Sequence, residues 1–346
     1  MGAIRRRQAA HGAQIGIETT SSRMTPPDLG TIVRVDDGPM QRLTRDIGYI
    51  DLRFQNQPEV IAAAVLHGSF GAAIVDPGPA STLPRLGEEL RRHGIDARDV
   101  RTILLTHIHF DHAGATGALV AETPGIEVYV HAAGMRHMAD PSRLVASARQ
   151  LWGDELESLW GEFLPVPEAN LRQLDGGERI RIGERELDVA YTPGHARHHV
   201  SYFDRDSGIA FVGDAAGIRV GSVPYLLAPT PPPDIDLAAW RGSIETIQRW
   251  SADTLFVTHF GPHADTVGHL GMFVEHLDEL AEIARRIVAS GAGKDGLATF
   301  VAEVEALMRR RLPESTARHY EEAAPLKLCW LGLERYWQKQ GVGGAA

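Results

Sequence analysis

The stretch Thr106-His107-Ile108-His109-Phe110-Asp111-His112-Ala113-Gly114 packs three imidazoles and a carboxylate into six consecutive positions. The apolar run Ile103-Leu104-Leu105 feeds it and the small-residue segment Ala113 to Ala118 follows, so the local reading is strand, loop, helix start. A tag remnant would be terminal and monotonous; this cluster is neither. In α/β proteins the loop at the carboxyl end of a strand is where ligands gather, because the strand is rigid and the loop is free to be polar. His107 and His109 lie two apart and project to one side of an extended segment, while Ile108 and Phe110 turn inward. Two imidazoles facing one point begin a metal chelate. Asp111 and His112, at the turn into the helix, address a second point beside the first.

One loop cannot complete such a site, and matching loops follow. "YTPGHARHH" places His195 after the alternating run Leu187 to Tyr191, with Pro193-Gly194 as the turn. "IAFVGDAAG" places Asp214 just past Ile209 to Val212, and "TLFVTHFGP" places His259 just past Leu255 to Val257. Each candidate follows an apolar run and adjoins a Gly or Pro turn signal. A lone histidine after a strand is more often structural, but four strand-end loops built alike point to a metal centre. His199, four residues after His195, is a candidate for support of the ligands. His198 and His263 are candidates for substrate contact by their nearness in sequence, with Tyr225 a possible hydrogen-bond donor. His67, His93, His131, His137, His269, His276 and His319 read as surface or packing residues.

Taken in order, His107-x-His109-x-Asp111-His112, His195, Asp214 and His259 resemble the metallo-β-lactamase superfamily, and more narrowly its glyoxalase II-like and lactonase-like hydrolases. "IVDPGPA" at Ile74 to Ala80 looks like the superfamily's first motif, and the resemblance spans roughly residues 30 to 268. It implies an α/β fold, a four-layer αββα sandwich with the site in a cleft at one edge. It further implies two divalent metal ions, zinc foremost with iron or manganese possible. His107, His109 and His195 would hold the first, Asp111, His112 and His259 the second, and Asp214 would bridge them. Asp76 would orient ligands rather than bind, and Asp111 would be catalytic as well, accepting a hydrogen bond from a hydroxide shared by the metals. The implied reaction is hydrolysis of a carbonyl ester, thioester or lactone. The family's pattern after His195 has a glycine before the second histidine; here Ala196-Arg197-His198 intervene, which leaves the role of His199 open. Two other readings use the same residues. A mononuclear iron enzyme of the persulfide dioxygenase type would need only the three-histidine subset, and a non-catalytic metal-binding module would be expected to have lost ligands.

Composition bounds the rest. With 346 residues, 43% hydrophobic and 23% charged, the chain is able to bury a full core. A formal net charge of −10 argues against a nucleic-acid surface and leaves a small-molecule substrate. No Gly-x-Ser-x-Gly elbow occurs, the nearest string being His67-Gly68-Ser69-Phe70-Gly71, so no serine nucleophile is indicated. The single cysteine, Cys329, lies in a Leu/Trp-rich tail and reads as packing. Arg5-Arg6-Arg7 is not followed by the apolar region of a signal peptide, and no run reaches membrane-spanning length, which together favour a cytoplasmic protein without a membrane partner.

The expected organisation is a poorly ordered leader over residues 1–28, a catalytic domain over 29–268, and a helical appendage over 269–346 serving as a lid or homodimer surface. Helices are predicted over Leu83 to Arg92 and Leu237 to Trp250, and a hairpin turns at Gly183 between Arg179 to Ile182 and Glu186 to Val189. The aromatic-rich stretch 142–164 reads as an inserted helical segment, and "LLAPTPPPDID" at Leu226 to Asp236 as a stiff loop forming one wall of the cleft. In the tail, Leu270, Phe273, Leu277, Leu280, Ala284 and Ile287 recur at helical spacing, as do Phe300, Val304, Leu307 and Met308, and Leu326 to Trp337 forms a third segment.

Overall fold

A strand buried on both faces needs no polar alternation, and Ala62-Ala63-Ala64-Val65-Leu66 is such a strand, every residue fully buried. Its even-numbered side chains enter one hydrophobic cluster and its odd-numbered ones another, the period-two signature of a sheet covered on both sides. The computed structural model describes residues 40–221 and 223–343, so the expected leader over 1–28 lies outside the described residues.

Two sheets carry the chain. The first takes the strands in sequence order: β1 (Gln41–Arg42), β2 (Ile47–Asp51), β3 (Ala62–Gly68), β4 (Gly71–Val75), β5 (Val100–Leu104), β6 (Glu127–His131) and β7 (Leu171–Leu174). Pairing is antiparallel up to β4 and parallel from β4 to β7. The second contains β8 (Arg179–Ile182), β9 (Arg185–Tyr191), β10 (Val200–Asp204), β11 (Ile209–Phe211), β12 (Thr254–Val257) and β13 (Gly261–His263), in the order β13-β12-β11-β10-β9-β8. Here only the β11–β12 pair is parallel. The β8–β9 hairpin falls where Gly183 predicted it.

Helices cover both outer faces. On the first sheet lie α1 (Leu83–Arg92), α2 (Phe110–Ala113), α3 (Thr116–Glu122), α4 (Ala132–Ala139), α5 (Ser142–Trp152) and α6 (Leu156–Trp160), the last two being the predicted insertion. On the second lie α7 (Leu237–Arg249), α8 (Thr266–Ala289), α9 (Gly296–Arg311), α10 (Glu314–Ala323) and α11 (Leu326–Lys339). Three hydrophobic clusters separate the four layers. One lies between the sheets around Leu66, Val75, Tyr202 and Phe256; one joins the first sheet to α1 and α3; one joins the second sheet to α7 and the C-terminal helices. Phe273, Phe300 and Leu333, from α8, α9 and α11, share that last cluster with Val212 and Leu255, so the tail helices complete the core of the second sheet. The first of them begins at Thr266, ahead of the boundary expected at 269, because the Asp265 carboxylate caps the Gly268 N–H at 3.0 Å. No helix among the described residues is long and apolar enough to cross a membrane.

One ion pair ties the sheets together at their edge. Arg185, 13% exposed, donates to Asp204 of the second sheet and, at 2.7 Å, to Asp46 ahead of β2 in the first. Asp204 is wholly buried, so removing its cation strands a charge in low dielectric. Arg185→Ala is therefore expected to lower stability in urea unfolding by about 3–5 kcal/mol; a loss under about 1 kcal/mol would show the pair to be solvated.

Candidate metal centre

The strand ends place the predicted residues together. Asp76 follows β4 and the His107–His112 segment follows β5, at the carboxyl ends of a parallel pair in the first sheet. Asp214 and His259 follow β11 and β12, the parallel pair of the second, and His195 follows β9. Loops from both sheets thus converge on one edge of the sandwich.

Asp76 is the organiser. It is 0% exposed, and its carboxylate accepts four hydrogen bonds: from the Thr106 N–H (2.8 Å) and hydroxyl (2.7 Å), the Thr258 hydroxyl (2.9 Å) and His112 Nδ1 (2.8 Å). Because Thr106 donates to Asp76, its oxygen is left to accept from His107 Nδ1 at 3.1 Å. His195 Nδ1 donates to the Pro229 carbonyl at 2.8 Å and His259 Nδ1 to the Val60 carbonyl at 2.7 Å. Each of these four imidazoles spends one nitrogen on a fixed acceptor, which leaves the Nε2 lone pair for the site.

Those lone pairs have no adequate protein partner. His107 Nε2 and His195 Nε2 both lie 2.9 Å from His109 Nδ1, and one proton cannot serve two such contacts. His112 Nε2 and Asp214 Oδ1 are buried, unpaired and 3.3 Å apart. Asp214 turns Oδ2 to His195 (3.3 Å) and Oδ1 to His112 and His259 (3.6 Å), while Asp111 Oδ2 lies 3.3 Å from His259 Nε2. Donor atoms within 4.8 Å of one another form three sets: His107, His109 and His195; His107, His112 and Asp214; Asp111, His112 and His259. Nitrogen lone pairs and carboxylates converging without protons to share fit divalent cations, and buried polar atoms of this kind are otherwise costly.

The electrostatics divide along the same line. Burial, aided by the neighbouring imidazoles, holds His107 far below the ordinary imidazole pKa, brings His109 down to about 3 and lowers His195. Those three are neutral donors. Burial also opposes charge on His112 and His259, but Asp214 and Asp111 outweigh it and raise both, with Asp76 adding to the effect on His112. The carboxylates answer in kind: burial raises them, yet His112 and His259 bring Asp111 to about 2 and hold Asp214 well below the ordinary carboxylate range. This half of the site demands positive charge, as protons or as a cation.

The remaining candidates sort by position. His199 is wholly buried behind the ligands, its Nδ1 on the Thr192 hydroxyl at 2.9 Å and its ring stacked on His107 at 5.1 Å. Gly213, at φ +48°, makes this close approach possible, since a Cβ there would lie 2.5 Å from the Thr106 hydroxyl and 2.8 Å from His199 Nε2. His198 lines the cavity that contains His109, Asp111, His195 and Asp214. Its Nδ1 accepts the Ile108 N–H at 3.4 Å, so its proton sits on Nε2. Two expectations are corrected. Tyr225 lies in the core under the C-terminal helices, its ring against Tyr320 and His276, because Tyr320 donates to its carbonyl at 2.7 Å and draws the segment away from the cleft. His263 sits on β13 with its ring 5.0 Å from that of His269, off the cavity wall, because the β12–β13 pairing turns the chain back along the sheet. Conversely His137, read as a surface or packing residue, lines the cavity with Arg143 and Arg197. Cys329 also reaches the wall, but burial pushes its thiol up to about 11, consistent with packing.

Residues 58–259 match the model of the metallo-beta-lactamase superfamily. The metallo-beta-lactamase fold-containing protein ST1585 of Sulfurisphaera tokodaii is 27% identical over 191 residues, 54% of this chain and 68% of that protein. A hydroxyacylglutathione hydrolase of Thermosynechococcus vestitus is 31% identical over 144 residues, 41% of this chain and 43% of its own length, so the match spans less than half of that relative. Among solved structures, the family protein TTHA1429 from Thermus thermophilus superposes with a TM-score of 0.55 at 22% identity, covering 81% of this chain and 89% of that one, which shows a shared fold. With the family model matched across the ligand loops and the two-sheet architecture shared, the chain belongs to the metallo-beta-lactamase superfamily.

Proposed function

We propose that this protein is a hydrolase of carbonyl esters, thioesters or lactones that works with two divalent metal ions. The observation that supports it most is Asp214, whose carboxylate oxygens face separate donor sets, Oδ2 toward His195 and Oδ1 toward His112 and His259. In this reading His107, His109 and His195 hold one ion, Asp111, His112 and His259 the other, and Asp214 serves both. Imidazole with carboxylate suits zinc, and iron or manganese as well. Bound ions of this class lower the pKa of water and polarise a carbonyl oxygen.

The chain's own groups do the rest. Asp111 lines the cavity and its side chain is 20% exposed, whereas that of Asp214 is 4% exposed. It is thus the carboxylate that reaches incoming substrate, and it accepts a hydrogen bond from the attacking water, aiming a lone pair at the carbonyl carbon. Asp111 takes one proton of that water as the new carbon–oxygen bond forms and passes it to the departing alkoxide or thiolate as the tetrahedral adduct collapses, leaving a carboxylic acid and an alcohol or thiol. His198 presents its Nε2–H beside the ligands as a neutral donor for the carbonyl oxygen. Asp76, through His112 and Thr106, and the Pro229 and Val60 carbonyls hold the imidazoles in their tautomers throughout.

Elemental analysis of the purified protein is expected to find two metal ions per chain. Asp214→Asn should lower occupancy of both positions and His112→Ala mainly one; retention of two ions at full affinity in both variants would overturn the ligand assignment. Asp111→Asn at saturating metal is expected to lower kcat on small aryl esters by roughly 10²-fold or more, by analogy with other lost electrostatic groups. Turnover should leave no acyl-enzyme and resist serine- and cysteine-directed reagents. Oxygen uptake with a persulfide and no hydrolysis of any carbonyl substrate would sink the hydrolase reading in favour of an iron oxygenase.

A further inference from the structure

The ligands occupy one part of a cavity of about 470 Å³, and apart from Ile108 and Phe110 the apolar walls come from segments that supply no ligand. Resting on the hydrolase reading above, we propose that this chamber receives the hydrocarbon or aryl part of an uncharged ester, thioester or lactone, and that acyl groups carried on an ionic thiol such as glutathione are poor substrates.

The wall on one side is aromatic and aliphatic: Phe54, Phe110, Leu144, Leu151, Trp152 and Trp160. Phe54 stacks on Trp160 at 4.9 Å and 18°, and Trp152 meets Trp160 edge-on at 5.4 Å. Phe54 is presented by a loop in which Arg53, Gln55 and Asn56 have φ of 47°, 52° and 62°. Such left-handed backbone is disfavoured for these residues and persists only where its surroundings hold it. Asp51 does so, accepting the Arg53 N–H at 2.9 Å and the Glu59 N–H at 3.0 Å.

The facing wall is equally fixed. Pro229 to Pro233 line the chamber, and the Thr230 hydroxyl donates to the Cys329 carbonyl at 3.2 Å. Gly332 of α11 packs so closely on this loop that a Cβ would lie 2.0 Å from the Thr230 carbonyl oxygen. At the end of α10, Ala323 packs against the outer cores of both sheets, so the C-terminal segment spans the cleft. A preformed apolar space closed on both sides selects for hydrocarbon, since each buried methylene gains transfer free energy.

Charge excludes the alternative. Among the described residues five carboxylates line the cavity, Asp111, Asp214, Asp234, Glu321 and Glu322, against the guanidiniums of Arg143 and Arg197. Arg197 already pairs with Asp234 at 3.3 Å, so its guanidinium is committed to a carboxylate of the chain itself. An anionic peptide thiol would bring carboxylates to a rim with one uncommitted cation and two glutamates, and would lose hydration without ionic partners.

The test uses the metal-loaded full chain. Across alkanoyl aryl esters from acetyl to octanoyl, and across acetate esters of lengthening alcohols, kcat/KM is expected to rise about fourfold per methylene in at least one series. A hydroxyacyl glutathione thioester should fall at least tenfold below the best ester. Leu151→Trp, which fills the chamber, should reverse the order of the longest and shortest members of that series. Independently of turnover, a long-chain methyl ketone should bind saturably and quench tryptophan fluorescence through Trp152 and Trp160, with or without chelator, and Leu151→Trp should weaken it. Flat series together with preferred glutathione thioester would overturn this inference and leave the hydrolase reading standing. Failure of the ketone to bind would also overturn it. Ketone binding without hydrolysis of any carbonyl substrate would refute the hydrolase reading and leave the chamber as an apolar ligand site.

Discussion

The Asp76 carboxylate is the constraint on which the site depends. Its four donors come from three places: the backbone and hydroxyl of Thr106 after β5, the hydroxyl of Thr258 after β12, and the ring of His112. One buried anion therefore joins the first sheet to the second and sets the tautomers of His112 directly and of His107 through Thr106. Removing it would leave those donors unsatisfied together, which is why a residue that offers no lone pair to the centre still decides its geometry.

The sandwich makes that arrangement possible. Parallel pairing of β4 with β5 and of β11 with β12 brings the carboxyl ends of all four strands to one edge, so polar loops meet where neither sheet needs them for its core. The three clusters hold the apolar side chains, and His107, His112, His195, His198, His199 and His259 are buried at this edge, while His131 and His269 are buried elsewhere. Crowding buried carboxylates with His112 and His259 creates a local demand for positive charge, while His107, His109 and His195 stay neutral beside it. In our reading these two environments serve two cations.

Most of the segments that wall the cavity lie outside the candidate ligand loops. The insertion α5–α6, the left-handed loop at Arg53 to Asn56, the proline run and the α10–α11 junction come from distant parts of the sequence and meet only across the cleft. None is a motif by itself. Their effect is to surround a polar centre with apolar walls, where electrostatic interactions are less screened than in water.

The sequence alone determined the elements and the order of the donor residues. Histidines and aspartates that closely follow apolar runs and adjoin turn signals point to strand ends, and His107, His195, Asp214 and His259 follow strands, while His112 sits in the short helix α2 that follows the His107 loop. Helical spacing likewise foretold α8, α9 and α11 of the tail, because periodicity records which face is buried, whereas α10 was not among the expected helices. Nearness in sequence proved a poor guide to nearness in space: His263 lies four residues after His259 yet turns away along β13, and Tyr225 is drawn under α10 by Tyr320. His137, well beyond the motif in sequence, lines the cavity. The Asp76 network, the facing of Asp214 toward two donor sets, and the chamber walls were decided only by the tertiary structure. Each depends on contacts between segments far apart in the chain, and no local pattern of residues encodes where two sheets will bring their edges together.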